Sequence, residues 1–120
     1  MLREPAETLD RVARQIVDAA YAVHRELGPG FLESVYEEAL CVELSARGIS
    51  FSRQQALTVS YRGRAVGQAR MDLIVDEVVV VELKAIAALA PIHVAQTISY
   101  LKASRLQLAL LINFNVSTLR

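Results

Sequence analysis

The sequence has no tryptophan, one cysteine, three prolines and only two lysines. No stretch is apolar enough for long enough to span a bilayer. The single Cys41 excludes an internal disulfide framework and a cysteine-based zinc site. The segment from Met1 to Asp10 is too charged for a secretory signal, so a soluble, cytoplasmic protein with no membrane partner is expected. Neither a glycine-rich phosphate loop nor a GxSxG elbow is present, which removes the commonest nucleotide-binding and serine-hydrolase readings. Acidic and basic side chains number 13 each, so the global basicity of a nucleic-acid-coating protein is missing as well.

The 120 residues, 53% of them hydrophobic, are enough to bury one modest core without metal or disulfide staples. We find no repeat, linker or low-complexity tract, and expect residues 1–120 to form a single domain. Charge is unevenly spread: residues 1–47 carry nine acids and five bases, and residues 48–120 carry four acids and eight bases. That polarity permits a basic face on the second half.

Leu9, Val12, Ala13, Ile16, Ala20, Val23 and Leu27 recur at helical spacing and predict a first helix over about 7–27, ended by Gly28-Pro29-Gly30. A second helix is predicted over 31–47, with Leu32, Val35, Tyr36, Ala39 and Leu40 as its apolar face and Gly48 as its stop. The period then changes from 3.6 to 2. Leu57, Val59 and Tyr61 predict a half-buried strand, Arg62-Gly63-Arg64 a turn, and 66–75 a second strand. Asp76-Glu77 turns the chain into a third strand over 78–84. Its four consecutive valines call for cover on both faces. Pro91 opens a third helix to Ser104, and 106–114 is a final strand. The order ααβββαβ describes an α/β sandwich rather than a repeated βαβ winding.

Asp72 lies on the second strand, and Glu82 and Lys84 lie on one face of the third. Two carboxylates converging from neighbouring strands make a hard-oxygen site suited to Mg²⁺ or Mn²⁺, with the Leu83 carbonyl as a third donor. A lysine on the same face can hold an attacking water and offset charge developing on a phosphate. Convergence requires Asp72 opposite Glu82, which a plain two-residue hairpin at Asp76-Glu77 would not give. A three-residue loop or a bulge is therefore predicted there. Spacing alone equally admits a cross-strand ion pair. Charged residues following four valines on a core strand favour the metal site, because buried charge is costly unless paired or bound.

On the third helix His93, Gln96 and Tyr100 form one polar stripe opposite Val94, Ala95, Ile98 and Leu101. Gln96 and Tyr100 could orient the lysine or hold a phosphate; an ordinary solvated face is the plainer reading, and we adopt it for His93. Glu37, Glu38 and Glu43 read as solvated surface. Glu33, in the first turn of its helix, either complements the helix dipole or serves the site. His24 reads as a partner of its helix's C-terminal dipole, and Cys41 as a core residue.

Gly30-Phe31-Leu32-Glu33-Ser34-Val35-Tyr36 matches the GxxExxY signature that names a family of small bacterial and archaeal proteins. His24 to Gly30, Gln54, Tyr61-Arg62-Gly63 and Val81-Glu82-Leu83-Lys84-Ala85 resemble the same family. So do Pro91-Ile92-His93, Gln96 with Tyr100, and Leu111 to Asn115, and the similarity covers about residues 8–116. That family is grouped with the PD-(D/E)XK nuclease-like superfamily. The resemblance implies a three-layer, restriction-endonuclease-like αβββαβ sandwich around a mixed four-stranded sheet, here with an extra N-terminal helix. It implies Asp72 and Glu82 as metal ligands, Lys84 as the catalytic lysine, Glu33 as the helix glutamate that supports a metal-bound water, and Gln96 with Tyr100 as a QxxxY motif. The chain ends shortly after Asn115, where relatives often continue with a short basic segment, so reduced substrate contacts are expected.

The function expected is divalent-metal-dependent phosphodiester hydrolysis of nucleic acid, DNA before RNA. Arg62, Arg64 and Arg70 are the candidate backbone contacts. The alternatives are a non-catalytic nucleic-acid or protein-binding module on the same fold, or a structural dimer whose Glu82–Lys84 pair satisfies a polar patch. A homodimer is compatible with either activity, an apolar face of the first two helices being its expected interface.

Overall fold

In this computed structural model residues 5–119 are described, and the side chains from residue 7 onward. The readings made on Met1–Glu4 and on the end of the chain at Arg120 fall outside them. Helix α1 spans Pro5–Leu27, with Glu7 in its first turn and His24 and Arg25 in its last, both favourable to the helix dipole. Val12, Ile16, Ala19, Ala20 and Val23 are its buried stripe. Gly28 stops it in a left-handed conformation, its N–H bonded to the His24 carbonyl at 2.8 Å. Helix α2 spans Glu33–Ala46 and buries Tyr36, Leu40, Cys41 and Leu44. Tyr36 is fully buried: its hydroxyl donates to the Gly28 carbonyl at 2.6 Å and accepts from the Phe31 N–H at 3.2 Å. Its ring stacks on Phe114 with centroids 4.8 Å apart. One side chain thus fixes the α1–α2 connection and with it the first turn of α2, where Glu33 sits.

Strands β1 (Phe51–Tyr61) and β2 (Arg64–Val75) form a long antiparallel ribbon. Arg62 and Gly63 both take positive φ at its tip. Strand β3 (Val79–Lys84) pairs antiparallel with β2, and β4 (Leu108–Asn113) parallel with β3. The sheet order is β1-β2-β3-β4. Helix α3 (Pro91–Ser104) connects β3 to β4, as a parallel pair requires. The result is a three-layer α/β sandwich with a mixed four-stranded sheet, and it carries the predicted element order. Strand β1 starts six residues before its predicted Leu57, because Phe51–Ala56 lack an alternating pattern and are held by pairing with β2.

Two cores cover the sheet. On the α1/α2 side Val12, Ile16, Ala20, Tyr36, Leu40 and Leu44 pack against Leu73, Val75, Val79, Val81 and Leu83. On the α3 side Leu57, Met71, Ile74 and Val80 cluster with Tyr100, Leu106 and Ala109. Val79, Val80 and Val81 have no exposed surface, which confirms the doubly covered strand. Each such side chain contributes about 1.5–3 kcal/mol of transfer free energy.

Helix α3 corrects the sequence reading. Thr97 is buried and His93 and Tyr100 are half-buried toward the sheet, while Gln96 of the same stripe is exposed along with Ile92, Val94 and Ile98. His93 is no solvated side chain. Its Nδ1 accepts the Ala90 N–H at 2.8 Å and so caps the helix. His24 is likewise buried, its Nε2 2.7 Å from the Val116 carbonyl. Among the described residues no helix is long and apolar enough to cross a membrane.

Candidate metal and catalytic site

The β2–β3 hairpin sets the site. Val75 pairs with Val79, so three residues, Asp76, Glu77 and Val78, separate the strands. Asp76 and Glu77 both take positive φ, and the Val78 N–H bonds the Val75 carbonyl at 3.1 Å. Of the two arrangements predicted, a three-residue loop or a bulge, this is the loop, and it carries Asp72 to the level of Glu82. There the backbone ladder, last paired at Leu73–Val81, gives way to side chains. The Asp72 N–H donates to Glu82 Oε2 at 2.7 Å, and the Leu83 N–H donates to Asp72 Oδ2 at 2.8 Å.

Glu82 is only 7% exposed. Burial, and then the charge of Asp72, push its carboxyl up to about 7, against the lowering effect of the Asp72 N–H and of Lys84. Lys84 is half-buried, and among the described residues it forms no ion pair with either carboxylate, so a Glu82–Lys84 or Asp72–Lys84 bridge is not what places these charges on a core strand. Glu33 comes up to this group from α2. Partial burial raises its carboxyl above the usual range, the neighbouring Asp72 charge raises it further, and Lys84 opposes them.

Glu37 is the principal correction to the sequence reading. It is buried rather than solvated, accepting from Arg53 Nη2 at 3.0 Å and from Gln54 Nε2 at 2.7 Å. The same Gln54 nitrogen lies 3.4 Å from Asp72 Oδ1, so Glu37, Gln54 and Asp72 form one chain. Glu38 is exposed and shares Arg53, and Glu43 pairs with Arg47. Sequence reasoning passed over Glu37 although it lies one turn after Glu33 on the same face. Gln54 was visible only as part of a resemblance.

Gln96 donates to the Tyr100 hydroxyl at 3.0 Å, and among the described residues neither bonds Lys84 or a site carboxylate. Arg62 and Arg64 flank the ribbon's tip and Arg70 pairs with Ala56, all three exposed. Eight residues of extended strand separate Arg64 from Asp72, roughly 26 Å. Cavities of about 540 Å³, under Leu57, Met71 and Ile74, and about 510 Å³, beside Leu89 and Leu111, do not include Asp72, Glu82 or Lys84.

Among the described residues no group of three or more His, Cys, Asp or Glu side chains is placed to hold a metal. Two carboxylates that meet across a splayed strand pair, one of them buried, with a main-chain carbonyl between Glu82 and Lys84, are nonetheless a donor set of the right chemistry. Mg²⁺ keeps several waters and is commonly held by one or two carboxylates.

A family model of the PD-(D/E)XK nuclease superfamily matches residues 10–120, and the chain belongs to that superfamily. Its fold is accordingly the restriction-endonuclease-like one. Nucleases of this superfamily generally use divalent metal ions, and their substrate is nucleic acid. Comparison with curated proteins and with solved structures gives no match.

Proposed function

We propose that the protein is a cytoplasmic, single-domain nuclease of the GxxExxY group that hydrolyses phosphodiester bonds in DNA with Mg²⁺ or Mn²⁺. The observation that carries this reading is the meeting of Asp72 and buried Glu82 beside Lys84, which has no ion pair among the described residues. Asp72, Glu82 and the Leu83 carbonyl would hold the ion, which supplies Lewis acidity toward the phosphate. Lys84, which no carboxylate engages among the described residues, would serve a phosphate oxygen or the attacking water. Glu33, its carboxyl raised by desolvation and by Asp72, would accept a proton from that water. Gln96 and Tyr100 would approach the lysine or the substrate backbone from α3.

The β1–β2 ribbon supports the choice of substrate. Beyond Arg53, which Glu37 and Glu38 engage, it carries Arg62, Arg64 and Arg70 and no acid before Asp72, in a chain of zero net charge. A two-stranded ribbon fits the major groove of a duplex, and exposed arginines suit its phosphates.

A second reading, a non-catalytic nucleic-acid-binding module, is favoured by the engagement of both carboxylates with main-chain N–H groups. One assay separates the two. Single-stranded, duplex and branched DNA and structured RNA are incubated with Mn²⁺ and either wild type or Lys84→Ala. Cleavage lost in the variant and in chelator supports the nuclease; binding without cleavage by wild type supports the module.

A further inference from the structure

We propose that Gln54 is the positioning residue of this site, fixing the Asp72 carboxylate through an amide that Glu37 anchors. The proposal rests on the reading of Asp72 as a metal ligand. Gln54 has φ +47 in the interior of β1. The other described non-glycine residues with positive φ, Arg62, Asp76, Glu77 and Arg105, all stand at turns or at a helix end. A left-handed backbone strains a non-glycine residue, and such strain persists where the surroundings impose it.

The strand pairing shows what the strained residue does. Arg53 pairs with Leu73 and Gln55 with Met71, whereas Gln54 and Asp72, which face each other between them, are unpaired. The pleat inverts at this step. Phe51 packs toward the α1/α2 core and Leu57 into the α3-side core, although a regular strand would put both on one face. On β2, Leu73 and Val75 belong to the first core and Met71 to the second. Asp72 therefore sits at a break in both ladders, held by the Leu83 N–H, the Glu82 carboxyl and the Gln54 amide rather than by sheet bonds.

A glycine would make the same backbone without strain, so the side chain must be the reason a glutamine stands here. Its amide nitrogen faces two carboxylates, Glu37 Oε1 and Asp72 Oδ1, and only the NH₂ end can serve both. Glu37 is buried and tied to Arg53, which makes it a fixed anchor. The amide restrains the Asp72 oxygen that the Leu83 N–H leaves unused.

The test is Mn²⁺ titration by calorimetry, with metal-free melting and cleavage kinetics, on wild type, Gln54→Gly, Gln54→Ala, Glu37→Gln and Asp72→Ala. Gln54→Gly relieves the strain and removes the amide; Gln54→Ala removes the amide alone. Both are expected to bind Mn²⁺ about 10- to 100-fold more weakly, the loss typical of an outer-shell partner, and to lose kcat with little change in KM. Gln54→Gly should melt no lower than Gln54→Ala. Wild-type Mn²⁺ affinity in a folded Gln54→Gly overturns the proposal. If both Gln54 variants unfold, Glu37→Gln decides, since it removes the anchor's charge without touching the strained backbone: weakened binding supports the proposal, and unchanged binding overturns it. Wild type that binds no better than Asp72→Ala overturns the metal reading itself, and the proposal with it.

Discussion

Asp72 and Glu82 are joined crosswise: the backbone of Asp72 donates to the side chain of Glu82, while the side chain of Asp72 accepts from the backbone one residue beyond Glu82. Two like charges are held close where the sheet would otherwise have paired main chain with main chain. Desolvation and mutual repulsion act on the pair, and the N–H groups offset only part of that cost.

The first prediction follows from the proton on Glu82. Its carboxyl titrates near 7 in the folded, metal-free protein and near 4.5 when unfolded, so the native state holds more protons between those values. Glu82 therefore stabilises the fold fully below about pH 4.5, and that contribution is lost as pH rises through 7. Melting of chelator-treated protein from pH 5 to pH 8 should show a falling component that Glu82→Gln flattens. Mn²⁺ should raise the melting temperature more at pH 8 than at pH 5, because bound carboxylates must be ionised. A Glu82→Gln profile that superimposes on wild type would refute this assignment.

Lys84 makes no ion pair among the described residues, so its removal breaks no bridge. Lys84→Ala is expected to fold and to bind Mn²⁺, yet to lose about 10²–10³-fold in cleavage rate, the usual loss for one charge-stabilising donor. Single-turnover cleavage beside calorimetry checks this; equal loss of binding and rate would make Lys84 a structural residue.

Arg62, Arg64 and Arg70 lie along one ribbon, the first two at its far end and Arg70 two residues before Asp72. Replacing all three with alanine should weaken duplex binding and lower the slope of log K against log[salt] by about 3, one unit per phosphate contact. Mn²⁺ affinity should stay at the wild-type value when Arg62 and Arg64 alone are replaced. An unaltered salt slope would remove the ribbon from the substrate interface.

Tyr36→Phe deletes a hydroxyl that donates to Gly28 and accepts from Phe31. Leaving buried polar groups without partners costs about 1–3 kcal/mol, so the urea midpoint should fall with the m-value unchanged. Because the same hydroxyl fixes the first turn of α2, the contribution of Glu33 to cleavage should fall as well. Glu33→Gln should then cost less in the Tyr36→Phe background than in wild type.

Much of the architecture was legible. Helix α3 runs over its predicted residues because Pro91 can only open a helix and Arg105, in a left-handed conformation, ends it. Bringing Asp72 level with Glu82 requires a three-residue loop or a bulge, and the hairpin has the loop. What escaped the sequence depends on distant chain. Glu37 is buried because β1 arrives with Arg53 and Gln54, and nothing in the local helical pattern announces that strand. Periodicity did not show which residues of α3 turn inward: His93, Thr97 and Tyr100 do, and Gln96 does not. The inversion at Gln54 left no trace in composition, because glutamine carries no turn signal.

The stack of Tyr36 on Phe114 has a consequence for biosynthesis. The carboxylates and Lys84 leave the ribosome well before Phe114 does, but the ring that clamps the start of α2 comes with the end of the last strand. A nascent chain can hold Asp72, Glu82 and Lys84 while Glu33 still lacks its mount. The mounting of Glu33 is in this way deferred until Phe114 has been made and has folded back onto Tyr36.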